Sequence, residues 1–222
     1  MENPVEQMLR EIKQDEQYTR SMTGLNKFKD EVMSALRKVP RDAFVPEYLK
    51  HMAFENNPLP IGHGQTISQP YIVALMTELL DIESSHVVLE IGTGSGYQSA
   101  VLSLLCKQVY TIELVTELST SAKKRFEKLQ YNNIEAFAGN GYAGCPEHAP
   151  YDSIIVTAAA SHIPEPLIAQ LKPGGKLVIP VGLSGMHQEL MLLEKDLDDK
   201  IQVRSVLGVA FVPLINEPVK QT

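Results

Sequence analysis

The stretch from His86 to Tyr97 constrains the fold of this chain more than any other. It reads HVVLEIGTGSGY, a short apolar run rich in β-branched residues that leads directly into three alternate glycines. Such a run is typical of a strand buried on both faces of a parallel sheet. Glycine permits positive φ and lets the backbone pass close to a ligand, and helical spacing follows from Tyr97 to Leu105. The stretch therefore predicts a strand, a ligand-binding loop and a helix.

The spacing of this loop favours one class of cofactor over another. Gly92, Gly94 and Gly96 form Gly-x-Gly-x-Gly, whose third glycine comes one residue earlier than in the dinucleotide fingerprint. Glu90 places a carboxylate near the end of an apolar strand, where an unpaired charge is costly. It could serve a helix N-terminus or an internal salt bridge, but we favour contact with a ligand. With Glu113 ending the next strand, the pattern resembles S-adenosylmethionine-dependent methyltransferases more than nicotinamide dehydrogenases.

Length and charge exclude several classes of protein. The 222 residues can bury one full core with a small appendage, and 44% hydrophobic and 21% charged residues are ordinary globular usage. A net charge of -7 argues against a broad basic face for nucleic acid. The N-terminus is polar and acidic, and no apolar run approaches the ~20 residues of a membrane span. We expect a cytoplasmic protein without nucleic-acid or membrane partners.

The two cysteines give no sign of a metal or disulfide site. Cys106 falls on the apolar face of the helix after the glycine loop and is most simply a core residue. Cys145 lies in a loop without a Cys-x-x-Cys or His-rich partner. The sequence therefore predicts no bound metal.

The N-terminal part of the chain indicates packing rather than chemistry. Helical spacing of apolar residues predicts amphipathic helices over Asn3–Lys13 and Asn26–Val39. Arg41–Tyr48 then reads as an irregular segment with aromatic anchors. We expect residues 1–58 to form a helical appendage on a catalytic domain of residues 59–222, the two packed as one compact, monomeric unit.

The segment Leu59–Tyr71 concentrates polar side chains in what reads as a loop. Proline and glycine punctuate it, and loops that cluster polar groups on a rigid scaffold often carry sites. Its polar residues are His63, Gln65, Thr66, Ser68 and Gln69. A helix over Ile72–Leu80 would begin near Pro70, so Ser68 could simply be its N-cap. Capping and catalysis are compatible, because a helix start offers free N–H groups to a carboxylate.

These segments together resemble one enzyme family. GHGQTISQP at residues 62–70, followed by EIGTGSGY at residues 90–97, is similar to the protein-L-isoaspartate O-methyltransferases. The likeness runs over nearly the whole chain, with VPRDAFV at 39–45, APYDSIIVTAA at 149–159, LKPGGKLVIPVG at 171–182 and FVPL at 211–214. The glycine motif is shared by many methyltransferases, whereas GQTIS is close to diagnostic of this family.

The resemblance implies both an activity and a fold. The implied activity is methyl transfer from S-adenosyl-L-methionine to the free α-carboxylate of L-isoaspartyl residues in damaged proteins and peptides, which initiates their repair. The implied fold is α/β and Rossmann-like, with a doubly wound, mostly parallel sheet and an added strand pair.

The remaining segments fit an alternation of strands and helices. Periodicity does not give the order of the strands in the sheet. The segments predict helices over Val115–Gln130 and Pro164–Leu171, with Pro173-Gly174-Gly175 ending the second, and strands over Val109–Ile112, Ile134–Ala138, Tyr151–Thr157, Lys176–Val181, Glu189–Glu194 and Val203–Phe211.

The resemblance also implies the site residues. Ser68 would be the catalytic residue, Glu113 would take the ribose hydroxyls, and Phe211–Leu214 would border the peptide, although a buried closing strand explains that segment equally well. The implied cofactor-binding residues are Gln65, Thr66, Ile67, Ser68, Glu90, Gly92, Gly94, Gly96, Glu113, Leu114, Asn140 and Gly141. The implied substrate-binding residues are His63, Thr66, Ser68, Phe211, Val212 and Pro213.

One residue departs from the family pattern. Gly139-Asn140-Gly141 stands where the family usually has Gly-Asp-Gly. An amide oxygen can still accept a hydrogen bond from the adenine amino group, but a bond to a charged acceptor is roughly twice as strong. We expect cofactor binding that is weakened but retained.

The expected chemistry needs no general base. An acceptor carboxylate with a pKa near ~4 is already ionised at neutral pH. Orientation then supplies much of the rate. The Ser68 hydroxyl is the candidate to aim the acceptor, and His63 is better suited to positioning than to base catalysis.

Three alternatives stay open at this point. The chain could be a carboxyl methyltransferase paralogue with a different carboxylate acceptor, for which Asn140 leaves room. It could be a nicotinamide-dependent oxidoreductase, which the glycine spacing and Glu90 disfavour. It could also be a binding module that retains the fold without catalysis.

Overall fold

The secondary structure is that of an α/β protein, as described by a computed structural model for residues 3–183 and 185–216. The strands are β1 (Leu59–Gly62), β2 (Gln65–Ile67), β3 (Val87–Ile91), β4 (Gln108–Glu113), β5 (Ile134–Ala138), β6 (Tyr151–Val156), β7 (Leu171–Val181), β8 (Gln188–Lys195) and β9 (Ile201–Val209). The α-helices are α1 (Pro4–Thr23), α2 (Asp30–Lys38), α3 (Pro70–Leu79), α4 (Tyr97–Ser103), α5 (Thr116–Leu129) and α6 (Glu165–Ala169).

A seven-stranded sheet organises the molecule. Its strand order is β5-β4-β3-β6-β7-β8-β9. The first five strands in that order pair in parallel, whereas β8 pairs antiparallel with both β7 and β9. The predicted Rossmann-like sheet with an added antiparallel strand pair is therefore confirmed. The chain leaves β3 towards β4 on one side and returns to β6 on the other, which makes the carboxyl end of β3 the topological switch point.

The central strand β3 packs against two separate hydrophobic clusters. Leu89 and Ile91 belong to one cluster, and Val88 belongs to the other. This alternation follows from the two-residue period of a strand, with helices covering both faces of the sheet. By the same period the side chain of Glu90 points to the face of Val88, where Ser99 of α4 contacts it.

The N-terminal helices are part of one of these clusters. Met8 and Ile12 of α1 and Leu36 of α2 are fully buried in it, together with residues of α3 and α4. The amphipathic helices predicted here are confirmed, although α1 continues to Thr23 and ends at Gly24 in the left-handed conformation. A division of the chain after residue 58 stays a prediction.

Two local predictions were wrong. Leu59–Tyr71 was predicted as a loop, but it contains the antiparallel pair β1–β2, because positive φ at His63 (53°) and Gly64 (69°) closes a tight turn. Strand β7 begins at Leu171 rather than Lys176. Here Tyr151 pairs with Leu171 and Ser153 with Lys176, so the Pro-Gly-Gly segment is an irregularity within the strand.

No helix among residues 3–183 and 185–216 is long and apolar enough to cross a membrane.

Candidate active site

A cleft of about 790 Å³ opens at the carboxyl ends of the central strands. Its walls come from the end of β2, the glycine loop, the start of α5 and the segment after β9. Most residues predicted to bind the cofactor or substrate lie together there. They are Gln65, Thr66, Ile67, Ser68, Glu90, Gly92, Gly94, Glu113, Leu114, Gly141, Val212 and Pro213.

Four predicted site residues do not line this cleft. His63 is exposed at the turn between β1 and β2. Phe211 lines a second, adjoining groove instead. The side-chain oxygen of Asn140 accepts a hydrogen bond from the backbone N–H of Tyr142 at 3.0 Å and so caps a short 3₁₀ turn. Gly96, the fourth, packs against α5.

Packing within the protein, as well as space for a ligand, requires glycine at positions of the glycine loop. A Cβ on Gly96, at φ 87°, would lie 2.6 Å from the ring of Phe126. A Cβ on Gly92, at φ 96°, would lie 2.5 Å from the Oγ1 atom of Thr157. Only at Gly94, with φ 53°, is the nearest atom at an ordinary contact distance of 3.5 Å. Larger residues at the first and third positions would therefore displace α5 or β6 before they met any ligand.

Glu113 is held rigidly at the wall of the cleft. One carboxylate oxygen accepts the backbone N–H of Gly94 at 2.8 Å, and the other accepts that of Val115 at 2.9 Å. Each oxygen of an ionised carboxylate has a further lone pair, so the group can still accept two hydroxyl donors. This arrangement fits the predicted bidentate binding of ribose hydroxyls.

Glu90 is a completely buried acid on the floor of the cleft. The Ser99 hydroxyl donates to its Oε2 atom, while Oε1 has no hydrogen-bond partner among the described residues. Burial, with a smaller contribution from the charge of Glu113, raises the pKa of Glu90 to about 8, against the lowering effect of hydrogen bonds from Ser99 and Thr111. Glu90 is therefore mostly protonated at neutral pH. Neither alternative considered for it, a helix N-terminus or a salt bridge, matches these contacts.

Ser68 lies where the cleft meets the second groove. It follows β2 and lines both depressions, as do Thr66, Thr157 and Val212. The N-cap of α3 is Gln69, without a side-chain capping bond, so N-capping does not explain Ser68. Its carbonyl accepts a hydrogen bond from Nη2 of Arg41 at 2.8 Å. Ser68 is thus held at the boundary through its backbone carbonyl.

The segment after β9 closes one side of the cleft. The N–H of Ala159 donates to the carbonyl of Val212 at 2.8 Å, and the N–H of Leu214 donates to the carbonyl of Ala159 at 2.7 Å. Pro213 is exposed and forms an isolated parallel bridge with Ala159, so Phe211–Leu214 pairs at one point like a strand but is not buried as a closing strand would be. The segment is a half-buried wall shared by the cleft and the groove.

Several residues of the cleft and the groove were not predicted from the sequence. Thr157 follows β6, and its hydroxyl donates to the carbonyls of Ile91 and Gly92 at 3.1 and 2.6 Å. It could have been found, because ligands bind beyond the carboxyl ends of strands next to a switch point. Asp15 and His187 line the second groove. No local signal marks them, since they lie far from the motifs in sequence.

The fold and the cleft define a Rossmann-like methyltransferase. A solved protein-L-isoaspartate O-methyltransferase shares the fold with a TM-score of 0.84 and 28% identity, over 96% of this chain and 67% of that one. A Plasmodium falciparum structure, described as a beta-aspartate methyltransferase in complex with S-adenosyl-L-homocysteine, has a TM-score of 0.79 at 24% identity, over 97% of this chain and all (100%) of that one.

Sequence comparisons give the family. Residues 13–218 match the model of the protein-L-isoaspartate(D-aspartate) O-methyltransferase family. The chain is 55% identical to protein-L-isoaspartate O-methyltransferase 2 of Polaromonas sp. strain JS666, over 95% of this chain and 100% of that protein. It is 52% identical to protein-L-isoaspartate O-methyltransferase 1 of Cupriavidus necator, over 95% of this chain and 81% of that protein. The chain belongs to the protein-L-isoaspartate(D-aspartate) O-methyltransferase family, and the nicotinamide-dependent alternative is not favoured.

The burial of Glu90 predicts how the free energy of unfolding changes with pH. An unfolded glutamate titrates near ~4.3. The folded side chain titrates at about 8, so between these values the folded state holds the extra proton and loses stability as the pH rises. Because one pKa unit is about 1.4 kcal/mol, Glu90→Gln should gain roughly 3 to 4 kcal/mol relative to the parent from pH 5 to pH 8.

Urea unfolding at pH 5, 6, 7 and 8 measures this difference. Glu127→Gln, the same change at an exposed position of α5, is the control and should follow the parent. Parallel pH dependences for Glu90→Gln and the parent would show that Glu90 is ionised in the folded protein.

Proposed function

We propose that this chain transfers the methyl group of S-adenosyl-L-methionine to the free α-carboxylate of L-isoaspartyl residues in damaged proteins and peptides, the step that initiates their repair. The observation that carries the proposal is the position of Ser68 where the cleft and the second groove meet. The cleft is assigned to the cofactor and the groove to the peptide.

The residues of the cleft suit an adenosyl amino acid. Glu113 offers paired acceptors for two ribose hydroxyls, and the buried Oε1 atom of Glu90 has no hydrogen-bond partner among the described residues. When bound, the cofactor supplies an electrophilic methyl group on a positively charged sulfur. The backbone of the glycine loop can approach the ligand closely at Gly94, where nothing but the tip of Ile61 is near.

The chain's own task is then to orient the acceptor and to exclude water. The acceptor carboxylate is ionised at neutral pH, so no side chain has to remove a proton. The Ser68 hydroxyl donates a hydrogen bond to one carboxylate oxygen, which leaves the other free to face the methyl group. Thr66 and Val212 line both depressions at the same boundary and hold the acceptor from its two sides. His63 lies outside the cleft, which favours a role at the rim over base catalysis.

The second groove is suited to a peptide backbone. It runs from α1 to the end of β9 and is lined by both polar and apolar residues, among them Asp15, His187 and Phe211. We propose that Phe211–Pro213 border the peptide. The backbone N–H and carbonyl of Phe211 already bond to the side chain of Gln188, so this contact is made mainly by side chains. We also propose that the chain acts as a monomer in the cytoplasm and without nucleic acid. The negative net charge argues against a nucleic-acid partner.

The substrate is tested with a matched pair of peptides. Transfer of a tritiated methyl group to an isoaspartyl peptide should greatly exceed transfer to the aspartyl peptide of the same sequence. Only the isoaspartyl residue has a free α-carboxylate, because its chain continues through the side-chain carboxyl group. Equal labelling would indicate a paralogue with another acceptor, and no labelling of either would reject the proposed function.

The role of Ser68 is tested by Ser68→Ala. Turnover of the isoaspartyl peptide should fall about 100-fold, because the acceptor is no longer aimed, while affinity for S-adenosylhomocysteine changes less than about threefold. Ser21→Ala, at an exposed position of α1, serves as the control and should behave as the parent. Unchanged turnover in Ser68→Ala would refute the proposed role.

Asn140 is proposed to meet the adenine of the cofactor. Asn140→Asp should tighten binding of S-adenosylhomocysteine roughly fivefold, since a charged acceptor strengthens the hydrogen bond by about 1 kcal/mol. Calorimetry measures the dissociation constant, with Asn132→Asp as an exposed control that adds the same charge. An affinity equal to that of the parent would show that Asn140 does not contact the cofactor.

A further inference from the structure

Arg41 is a cation buried completely inside the protein. It is 0% exposed and begins the 3₁₀ turn Arg41–Phe44, in the segment for which the sequence indicated only packing. Burial lowers the pKa of its guanidinium, and no carboxylate among the described residues lies in ion-pair contact with it. Burying such a cation costs desolvation free energy, so its interaction partners indicate its role.

The partners of Arg41 are backbone carbonyls from three parts of the chain. Its Nε atom donates to the carbonyl of Ala53 at 2.8 Å. Its Nη2 atom donates to the carbonyls of Ser68 at 2.8 Å and Asn57 at 3.3 Å. The planar fork of a guanidinium fixes the relative positions of such acceptors, which a flexible ammonium does not do.

The guanidinium also lies over an aromatic ring of the cleft. Its Cζ atom is 4.8 Å from the centroid of the Tyr97 ring, within the range of a cation–π interaction. Tyr97 is the first residue of α4 and lines the cleft directly after the glycine loop. One side chain therefore connects the backbone of Ser68 with the element that begins at the cofactor loop.

Stability does not account for this arrangement. A buried ion is commonly no more stabilising than an apolar side chain of similar volume. Moreover, Nη1 of Arg41 and the hydroxyl of Tyr97 both lack hydrogen-bond partners among residues 3–183 and 185–216. What the guanidinium does provide is a short, charge-assisted hydrogen bond of defined direction to the residue that is to aim the acceptor.

We propose that Arg41 is the positioning residue for Ser68, holding the backbone from which the Ser68 hydroxyl reaches the acceptor carboxylate. The proposal rests on the role of Ser68 under the proposed function. Arg41 does not touch the substrate, so its removal should allow residues 65–69 to move without emptying the cofactor cleft.

Amide hydrogen exchange tests the positioning directly and without any assay of activity. The peptide covering residues 65–69 should exchange at least about tenfold faster in Arg41→Met than in the parent, because the bond to the Ser68 carbonyl is lost. Arg41→Lys should lie between the two, since an ammonium lacks the planar fork. Leu36→Ala, a cavity in the core of α2, is the control for general destabilisation and should leave that peptide unchanged relative to its neighbours.

Steady-state kinetics with saturating cofactor provide the second test of the proposal. In Arg41→Met, kcat for an isoaspartyl peptide should fall about 100-fold while the dissociation constant of S-adenosylhomocysteine stays within about threefold of the parent. Arg41→Lys should recover part of kcat, and Leu36→Ala should retain it at temperatures where it is folded.

The proposal is overturned if exchange at residues 65–69 is unchanged in the Arg41 variants, or if Leu36→Ala accelerates it equally. It is also overturned if folded Arg41→Met keeps the parent kcat. Should Arg41→Met fail to fold, Arg41→Lys decides by the same two readings. A parent chain that labels no isoaspartyl peptide would refute the proposed function instead, and the exchange result would still decide the role of Arg41.

Discussion

The parallel pairing of β3 with β4 on one side and β6 on the other is the constraint on which the site depends. Parallel strands need crossover connections. The units β3–α4–β4 and β6–α6–β7 run in opposite directions across the sheet, so right-handed crossovers place α4 and α6 on opposite faces. The carboxyl ends of the three strands are then left uncovered between these helices. The glycine loop, Glu113 and Thr157 each follow or end one of these strands, so the topology alone brings them to one cleft.

One buried acid and one buried cation contact the cleft or its lining residues. Glu90 is kept mostly neutral by burial, and its Oε1 atom has no protein partner among the described residues. Within the described part of the chain, the partners of Arg41 are carbonyls and one ring, so its interactions there have direction without a counter-charge. Both groups reduce the stability that an apolar core would give. We interpret this loss of stability as a consequence of building a site that binds a cationic methyl donor and orients an anionic acceptor.

Much of the fold could be predicted from the sequence, because its strongest signals are local. The apolar run before the glycines, the helical spacing after them and the acid ending β4 depend on neighbouring residues, and these elements lie where they were expected. Strand order could not be predicted, since periodicity carries no information about pairing. The β1–β2 pair was missed because strands of three and four residues around Gly62 and Gly64 lack a periodic pattern.

Residues of the candidate site that belong to sequence motifs could be predicted. Residues that reach it from distant segments of the chain could not. Gln65 to Ser68 and Glu113 come to the cleft as the motifs indicate. The packing of Gly96 on Phe126, the carbonyl contacts of Arg41 and the place of Asp15 in the groove depend on tertiary structure. Arg41 stands in the motif at residues 39–45, yet its role could not be predicted there, because its carbonyl partners lie between 12 and 27 residues away and the Tyr97 ring lies further still.

The central claim is that the Ser68 hydroxyl aims an ionised carboxylate at a methyl donor in the adjoining cleft. A crystal structure of the chain with S-adenosylhomocysteine and an isoaspartyl peptide tests it most directly. The account predicts the cofactor product between Glu113 and Ser68, the peptide in the groove, and the Ser68 Oγ atom within about 3.0 Å of an α-carboxylate oxygen. A carboxylate held by other side chains, with the Ser68 hydroxyl turned away from it, would contradict the account.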